Sequence, residues 1–298
     1  YRYLRKPFEL DDLLTAVAGA AERLGLRLRL RLMQEVLRQR EEEHSHSSAA
    51  AGRGETSLLL SRRMALIGKL AVAHAAEMSR AARDVLRDPR DRPTLDSESL
   101  TRGARNRPPT EQELEEQQHQ DMAALLEAQA RRAADLEALV SDTGAITSLD
   151  LRDAALVAVR LAGPFARQQA ELFVDAGGEP LPVRASRSSL VEVVINLLIN
   201  AAESLVDAAD EARQIRVTLG REGTQARLEI ADTGCGIPDT EIERAFEPFA
   251  STKPHGTGLG LPAVKAAVEA HDGTITVHSR AGGTRFVILL PTSDDDLG

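Results

Sequence analysis

Two asparagines one helical turn apart are the first residues in this sequence whose types and spacing suggest chemistry. Asn196 and Asn200 lie in the apolar segment VEVVINLLINAAESL (191–205), and a spacing of four places them on one face of a helix. Neutral amide oxygens that face one point can help to hold Mg²⁺, because Mg²⁺ prefers oxygen ligands and keeps several waters. The segment predicts a helix with a metal-binding face and an apolar face packed on a sheet.

A carboxylate followed by two glycines comes next. LEIADTGCGIP (228–238) is typical of a strand that delivers Asp232 into a loop opened by Gly234 and Gly236. A buried carboxylate there can accept a hydrogen bond from the adenine amino group. The glycines let the backbone turn and approach a base closely. Cys235 is expected to fill the loop rather than to act as a nucleophile.

Two segments after this loop suit the phosphates of a nucleotide. FEPFASTKP (246–254) is typical of the start of a mobile lid, and its Lys253 is placed to reach a terminal phosphate. The glycine-rich run GTGLGL (256–261) precedes a helix, where free backbone N–H groups can surround a phosphate. The residues of this run expected to contact phosphate are Gly256, Thr257, Gly258, Leu259 and Gly260.

The elements that position these residues are predicted by the change in composition after about residue 147, where glycines, prolines and β-branched runs begin. The pattern indicates an α/β sandwich with antiparallel strand pairs. Helices are expected at about 151–172, 187–209 and 258–271, and strands near 182–184, 214–220, 225–231, 273–279 and 283–290.

Two long helical patterns precede the sandwich. They run over about 58–87 and 111–143, and the polar segment 88–110 joins them, so they predict an antiparallel hairpin. A hairpin has little core of its own, and pairing with a second copy as a four-helix bundle would bury its apolar stripes. The helices alone also fit a generic coiled coil.

The four segments, in this order, resemble the catalytic and ATP-binding domain of two-component sensor histidine kinases, with its N, G1, F and G2 boxes. The resemblance implies a Bergerat-type ATP-binding domain over 146–292 and an overall α+β fold. It implies ATP and Mg²⁺ as cofactors, with Asn200 as the principal Mg²⁺ ligand and Asn196 in support. It further implies that Asp232 recognises adenine, and that Lys253 and the glycine run hold the phosphates.

The same fold resembles that of several ATP hydrolases, which carry a glutamate four residues before the metal-binding asparagine. Asn196 occupies that position here, and an amide is no general base. The sequence therefore favours transfer of the phosphoryl group over hydrolysis.

The acceptor segment of the family resembles GKLAVAHAAEMSRAA (68–82). A gapless alignment that matches Glu77 places Ala76 where the acceptor histidine stands in the family. His74 lies two residues earlier, about 200° around the helix, on the apolar stripe of the seam.

Three interpretations stay open. The acceptor is lost and the chain is a dimeric ATP-binding pseudokinase or interaction module; or the helix is shifted and His74 accepts phosphate, with Glu77 as the nearby base; or phosphate goes elsewhere, for example to His119 or to a partner.

The N-terminal segment 1–24 resembles the end of a receiver domain, in which Lys6 and Pro7 would follow the last strand. Residues 25–57 are expected to form a helical linker, 58–145 the dimerisation hairpin with a degenerate acceptor box, and 293–298 a tail. The resemblance implies a homodimer through the hairpin, and a cognate response regulator or receiver domain as partner.

Composition bears on nucleic-acid binding, on disulfide formation and on location in the cell. A net charge of −9 disfavours nonspecific nucleic-acid binding, and a single cysteine excludes an internal disulfide. The sequence has no apolar run of transmembrane length and no secretory signal, and it predicts a cytoplasmic protein.

Overall fold

The computed structural model describes four main ranges of the chain. These are residues 111–142, 144–206, 213–247 and 260–293, together with the single positions Leu70, His74, Glu77, Arg80, Ala81, Ala250 and Gly258. Several predictions therefore lie outside the described residues, namely those on segments 1–57 and 88–110, on Ala76, on the side chain of His119, and on Lys253, Gly256, Thr257 and Leu259.

A long helix leads into a mixed domain of helices and strands. In chain order the elements are α1 (Glu111–Ser141), β1 (Ile146–Asp150), α2 (Leu151–Ala166), β2 (Glu171–Asp175), β3 (Pro182–Ser186), α3 (Arg187–Ser204), β4 (Gln214–Glu222), β5 (Gln225–Asp232), α4 (Asp239–Ile242), a 3₁₀ turn (Arg244–Phe246), α5 (Gly260–Glu269), β6 (Thr274–Arg280) and β7 (Gly283–Pro291).

The main sheet has five strands in the order β2-β4-β5-β7-β6, and β1 pairs with β3 in a separate two-stranded sheet. Burial alternates strictly along β5, as expected for a strand with one face on a core. Helices α2, α3 and α5 cover that face, and the core between the layers is aliphatic. Its fully buried side chains include Leu161, Ile195, Leu198, Ile215 and Leu228.

The predicted antiparallel α/β sandwich is confirmed for most of its strand pairs, with two differences at its start. The helix expected to run to about residue 172 ends at Ala166, and Glu171–Asp175 is instead a strand that pairs in parallel with β4. Parallel neighbours need a long crossover, and here β3 and α3 supply it. The short strand β1 was not predicted, because β3, its partner among the described residues, lies 32 residues or more along the chain.

The helical region is described for α1 and for a few residues of the helix before it, which we call the first hairpin helix (Leu70, His74, Glu77, Arg80 and Ala81). Arg132 of α1 makes a two-point ion pair with Glu77, so the two helices are in contact. Within the described part of the chain, no helix combines the length and apolar character needed to cross a membrane.

Candidate nucleotide-binding site

The helix α3 forms one wall of the candidate site. Its start is fixed by Ser186, whose hydroxyl accepts a hydrogen bond from the Ser189 amide at 3.3 Å. The apolar residues between its asparagines are buried against the sheet and α2. Asn196 and Asn200 remain half-buried on the opposite face, as their spacing predicted.

The two asparagines have different surroundings. The Asn196 Nδ2 donates to the carbonyl of Glu192 at 2.6 Å, so this amide is bonded to its own helix. Asn200 lies beside the first residue of α5, because a Cβ built on Gly260 would be 3.7 Å from Asn200 Nδ2 and 3.8 Å from its Oδ1. The N-terminus of α5 and the asparagine face of α3 therefore meet.

Asp232 is buried at the end of β5, with 8% of its surface exposed. Its Oδ1 accepts from the Gly234 amide and from the Ser204 hydroxyl, each at 2.9 Å. These bonds fix the orientation of the carboxylate in the loop. Ser204 was missed in the sequence, although it continues the face of Asn196 and Asn200 at the same spacing of four.

Two glycines of this loop are required by close contacts. A Cβ on Gly234 would lie 2.1 Å from Ser204 Oγ and 2.7 Å from the Ser204 carbonyl oxygen. Gly236 has a φ of +78°, and a Cβ there would lie 2.1 Å from the Arg280 carbonyl oxygen. The loop thus fits against α3 and β6 only without side chains at these positions.

The loop is also tied to the far edge of the sheet. The amide of Ile237 donates to Ser279 Oγ of β6 at 2.7 Å, and Ser279 Oγ lies 3.0 Å from Thr284 Oγ1 of β7. Nothing in the sequence marked Ser279, because its role depends on pairing between distant strands.

A buried histidine links the other ends of α3 and α5. His271 Nε2 accepts from the Ser186 amide at 3.0 Å, and its Nδ1 lies 2.6 Å from the Ala267 carbonyl oxygen, which fixes the proton on Nδ1. Since Ser186 caps α3 and Ala267 belongs to α5, this imidazole holds the two helices of the site in register.

The structure thus brings together Asn200, Ser204, Asp232, Gly234 and Gly260 at one end of the sheet. Gly258, just before α5, has a φ of +62°, a left-handed conformation that favours glycine.

The donor set suits a magnesium ion that is held mainly by phosphate. Among the described residues, no three His, Cys, Asp or Glu side chains are grouped as a metal site. Mg²⁺ commonly keeps several waters and binds through one or two protein oxygens plus substrate phosphates. The Asn200 amide at the N-terminus of α5 fits that arrangement.

The geometry agrees with a match to a known family. The sequence profile described as histidine kinase-, DNA gyrase B-, and HSP90-like ATPase matches residues 185–294. The match covers most of the mixed domain that runs from β1 to β7, which we call the ATPase domain after this profile. The ATP-binding domain predicted from the four ordered segments is thereby confirmed, and its α-helices and sheet are those of the Bergerat type.

Several sensor proteins are similar to this chain. The C4-dicarboxylate transport sensor protein DctS of Rhodobacter capsulatus is 33% identical over 175 residues, which cover 56% of this chain and 27% of DctS. The signal transduction histidine-protein kinase AtoS of Escherichia coli strain K12 is 38% identical over 138 residues, 46% of this chain and 22% of AtoS. The chain therefore spans about a quarter of the length of these relatives.

Among solved structures, the nucleotide-free catalytic domain of histidine kinase ThkA is 30% identical. The alignment covers 49% of this chain and 95% of that domain, with a TM-score of 0.44.

Outside the ATPase domain, the side chains of His74 and Glu77 lie where the first hairpin helix contacts α1. His74 is buried, with 7% of its surface exposed. Its Nδ1 lies 2.9 Å from the Leu70 carbonyl oxygen and donates to it. The nucleophilic nitrogen is then Nε2, which is itself buried and has no hydrogen-bond partner among the described residues. Glu77 is engaged by Arg132.

The burial of His74 favours its neutral form. Desolvation lowers the pKa of His74 below its ordinary value of 6.5, and the Arg132 guanidinium acts in the same direction; the hydrogen bond to Leu70 and the Glu77 carboxylate oppose this shift. Below about pH 6.5 the unfolded chain therefore takes up a proton that the folded chain resists.

We expect the thermal unfolding midpoint to fall as the pH is lowered from 7.5 through 6.5, and His74→Leu to reduce that fall. The matched control is His278→Gln, at an exposed histidine of β6, which should leave the pH profile as it is in the wild type. If the unfolding midpoint of His74→Leu falls with pH as steeply as that of the wild type, burial of His74 is not a cause of the pH dependence.

Proposed function

We propose that this chain is the kinase portion of a two-component signalling protein, which binds Mg-ATP in the ATPase domain and transfers the γ-phosphate to a histidine. The observation that carries the proposal is the meeting of Asp232, Ser204 and Gly234 with Asn200 and Gly260 at one end of the sheet. This arrangement offers a fixed acceptor for adenine at one side and a helix N-terminus for phosphate at the other.

The surroundings of Asn196 favour transfer over hydrolysis. An amide cannot take a proton from water, and the Asn196 amide is bonded to the Glu192 carbonyl of its own helix. Catalysis would then consist of positioning the phosphates and stabilising their charge. Bound Mg²⁺, held by Asn200 with Asn196 in support, would neutralise part of that charge. Lys253 and the run from Gly256 to Gly260 would hold the terminal phosphates.

The acceptor is proposed to be degenerate at the usual position. In the gapless register, Ala76 takes the place of the acceptor histidine. His74 is buried with its Nε2 enclosed, which disfavours His74 as the acceptor. Its burial also supports the second candidate, a dimeric ATP-binding module without transferase activity, which differs only in the fate of the phosphate.

The deciding experiment is incubation of the purified chain with γ-labelled ATP and Mg²⁺, with His74→Ala beside it and Asp232→Asn as a binding-deficient control. We expect acid-labile, alkali-stable label on a histidine other than His74, for example His119, so that label is present in the wild type and in His74→Ala and absent from Asp232→Asn. Label that disappears in His74→Ala would make His74 the acceptor and our register wrong. ATP binding without any label would remove the transferase proposal and leave the binding module.

We further propose a homodimer formed through the hairpin, and a response regulator or receiver domain as the phosphate acceptor downstream. A hairpin that must bury apolar stripes supports the dimer. Light scattering tests the dimer: a mass in solution of two chains supports it, and a mass of one chain contradicts it.

Cys235 provides a direct probe of nucleotide binding. It is exposed, it lies between Gly234 and Gly236 in the loop that follows Asp232, and it is the only cysteine of the sequence. We expect bound ATP to slow its alkylation by iodoacetamide by at least about tenfold, because nucleotide covers the loop and occupancy is near complete at 100 times the Kd. The rate is read by intact mass; equal rates with and without ATP would place the nucleotide elsewhere.

A further inference from the structure

The junction between α1 and the ATPase domain contains a carboxylate that reaches the start of α3. Asp142 directly follows α1. Its Oδ2 accepts from the Ser188 amide at 2.9 Å, and its Oδ1 accepts from the Gly144 amide at 3.0 Å. Gly144 has a φ of +75°, so the chain turns there and continues into β1. Asp142 thus belongs to the junction but caps a helix 46 residues further along the chain.

This cap supplies a charge that α3 lacks. The first turn of α3 contains no acidic residue, whereas the N-terminal end of a helix favours a negative charge and leaves several amides without partners. Ser186 satisfies the Ser189 amide, and Asp142 satisfies the Ser188 amide from outside the helix. The helix that carries Asn196 and Asn200 is therefore capped in part by Asp142, which lies in the segment between α1 and β1.

The position of Asp142 is itself fixed by a second contact. One turn and a half before the end of α1, Asp135 makes a two-point ion pair with Arg160 of α2, at 2.8 Å and 3.3 Å. On the same helix Leu136 and Leu139 are buried. The end of α1 is thus docked on the ATPase domain, and a movement of α1 would displace Asp142 from α3.

We propose that Asp142 is a positioning residue for the nucleotide site, which couples the placement of α1 to that of the asparagine face of α3. Ser188 and Asn200 are twelve residues apart, about 18 Å along a rigid helix, so a shift at the capped end moves the metal-binding end. Coupling of this kind is reciprocal: nucleotide binding should stabilise the Asp142 cap. The inference rests on the proposed function only for the identity of the ligand.

The test measures the Kd of the non-hydrolysed analogue AMP-PNP, with Mg²⁺, for the full chain well below its unfolding midpoint. We expect Asp142→Ala to weaken binding by up to about five- to tenfold, because the energy of a charged cap sets the upper limit of this coupling. Asp142→Asn keeps an accepting oxygen but not the charge, so its Kd should lie between those of the wild type and Asp142→Ala. Asp175→Ala is the matched control, because Asp175 makes the same turn contact, to the Gly177 amide at 3.1 Å, away from α3.

A second pair of variants tests the docking of α1 without changing Asp142. Arg160→Ala should weaken AMP-PNP binding in the same direction but less, while Arg131→Ala, which removes an exposed pair with Glu127 on α1, should not. Hydrogen exchange at the Ser188 amide should slow when AMP-PNP binds to the wild type, and this response should be lost in Asp142→Ala.

The outcomes separate the two proposals. If the wild type does not bind AMP-PNP, both the proposed function and the positioning role of Asp142 are wrong. If the wild type binds but Asp142→Ala has the same Kd and the same exchange response, only the positioning role is overturned. A lower unfolding midpoint with an unchanged Kd would likewise mean that Asp142 is a structural cap and no more.

Discussion

Asp232→Asn is expected to lower the affinity of the chain for ATP by at least about 100-fold while the domain stays folded. The substitution keeps the shape of the side chain, and an amide oxygen can still accept from the Gly234 amide and the Ser204 hydroxyl. It places an NH₂ group where the second carboxylate oxygen stood. That group would face the adenine amino group, donor against donor, in a buried site where an unpaired donor is costly.

The same substitution provides its own control in the choice of base. Inosine triphosphate carries an oxygen where adenine has its amino group, so Asp232→Asn should lose less affinity for ITP than for ATP, and the ratio of the two Kd values should shift toward ITP. Calorimetric titration of both nucleotides against both proteins measures this. An equal loss for ATP and ITP would mean that Asp232 supports the loop without contacting the base.

Gly234→Ala is expected to reduce both the stability and the nucleotide affinity of the ATPase domain. The added Cβ would lie 2.1 Å from Ser204 Oγ and 2.7 Å from the Ser204 carbonyl oxygen. The hydroxyl can rotate away, but the carbonyl belongs to the last residue of α3 and cannot move alone. We expect a loss of about 1–3 kcal/mol in the free energy of unfolding, and at least a tenfold weaker binding of ATP because the loop must shift away from Asp232.

Gly178→Ala is the matched control for this prediction. Apart from Gly178 and its two chain neighbours, no heavy atom lies within 4 Å of a Cβ built on Gly178, and its φ is outside the left-handed region. Chemical denaturation of the two variants and of the wild type measures the difference in stability. If Gly234→Ala unfolds at the same denaturant concentration as Gly178→Ala, α3 and the loop are not packed as closely as described.

Much of the candidate site was predictable because its signals are local. Asn196 and Asn200 are four residues apart on one helix, and Asp232 stands directly before its glycines, so spacing and residue type predicted both segments. The order of the segments then predicted the ATP-binding domain, which the family match confirms. The roles of single residues, including that of Lys253, remain predictions.

Other features depended on contacts between distant parts of the chain. The helix predicted to run to about 172 ends at Ala166 because Glu171–Asp175 is needed as a parallel edge strand beside β4, a pairing that no local pattern contains. Ser279 and His271 have ordinary local sequences, and they matter because strands and helices that are far apart in sequence meet at them.

The sequence by itself determined the order of the four predicted nucleotide-binding segments and the local secondary structure of the first two, the helix α3 and the end of β5, because helix and strand periodicity and glycine positions act over a few residues. Only the tertiary structure decided that Ser204 and Gly234 close around Asp232, that Arg132 engages Glu77 beside a buried His74, and that Asp142 caps α3. Each of these is a contact between groups separated by many residues, and such contacts exist only once the layers have packed.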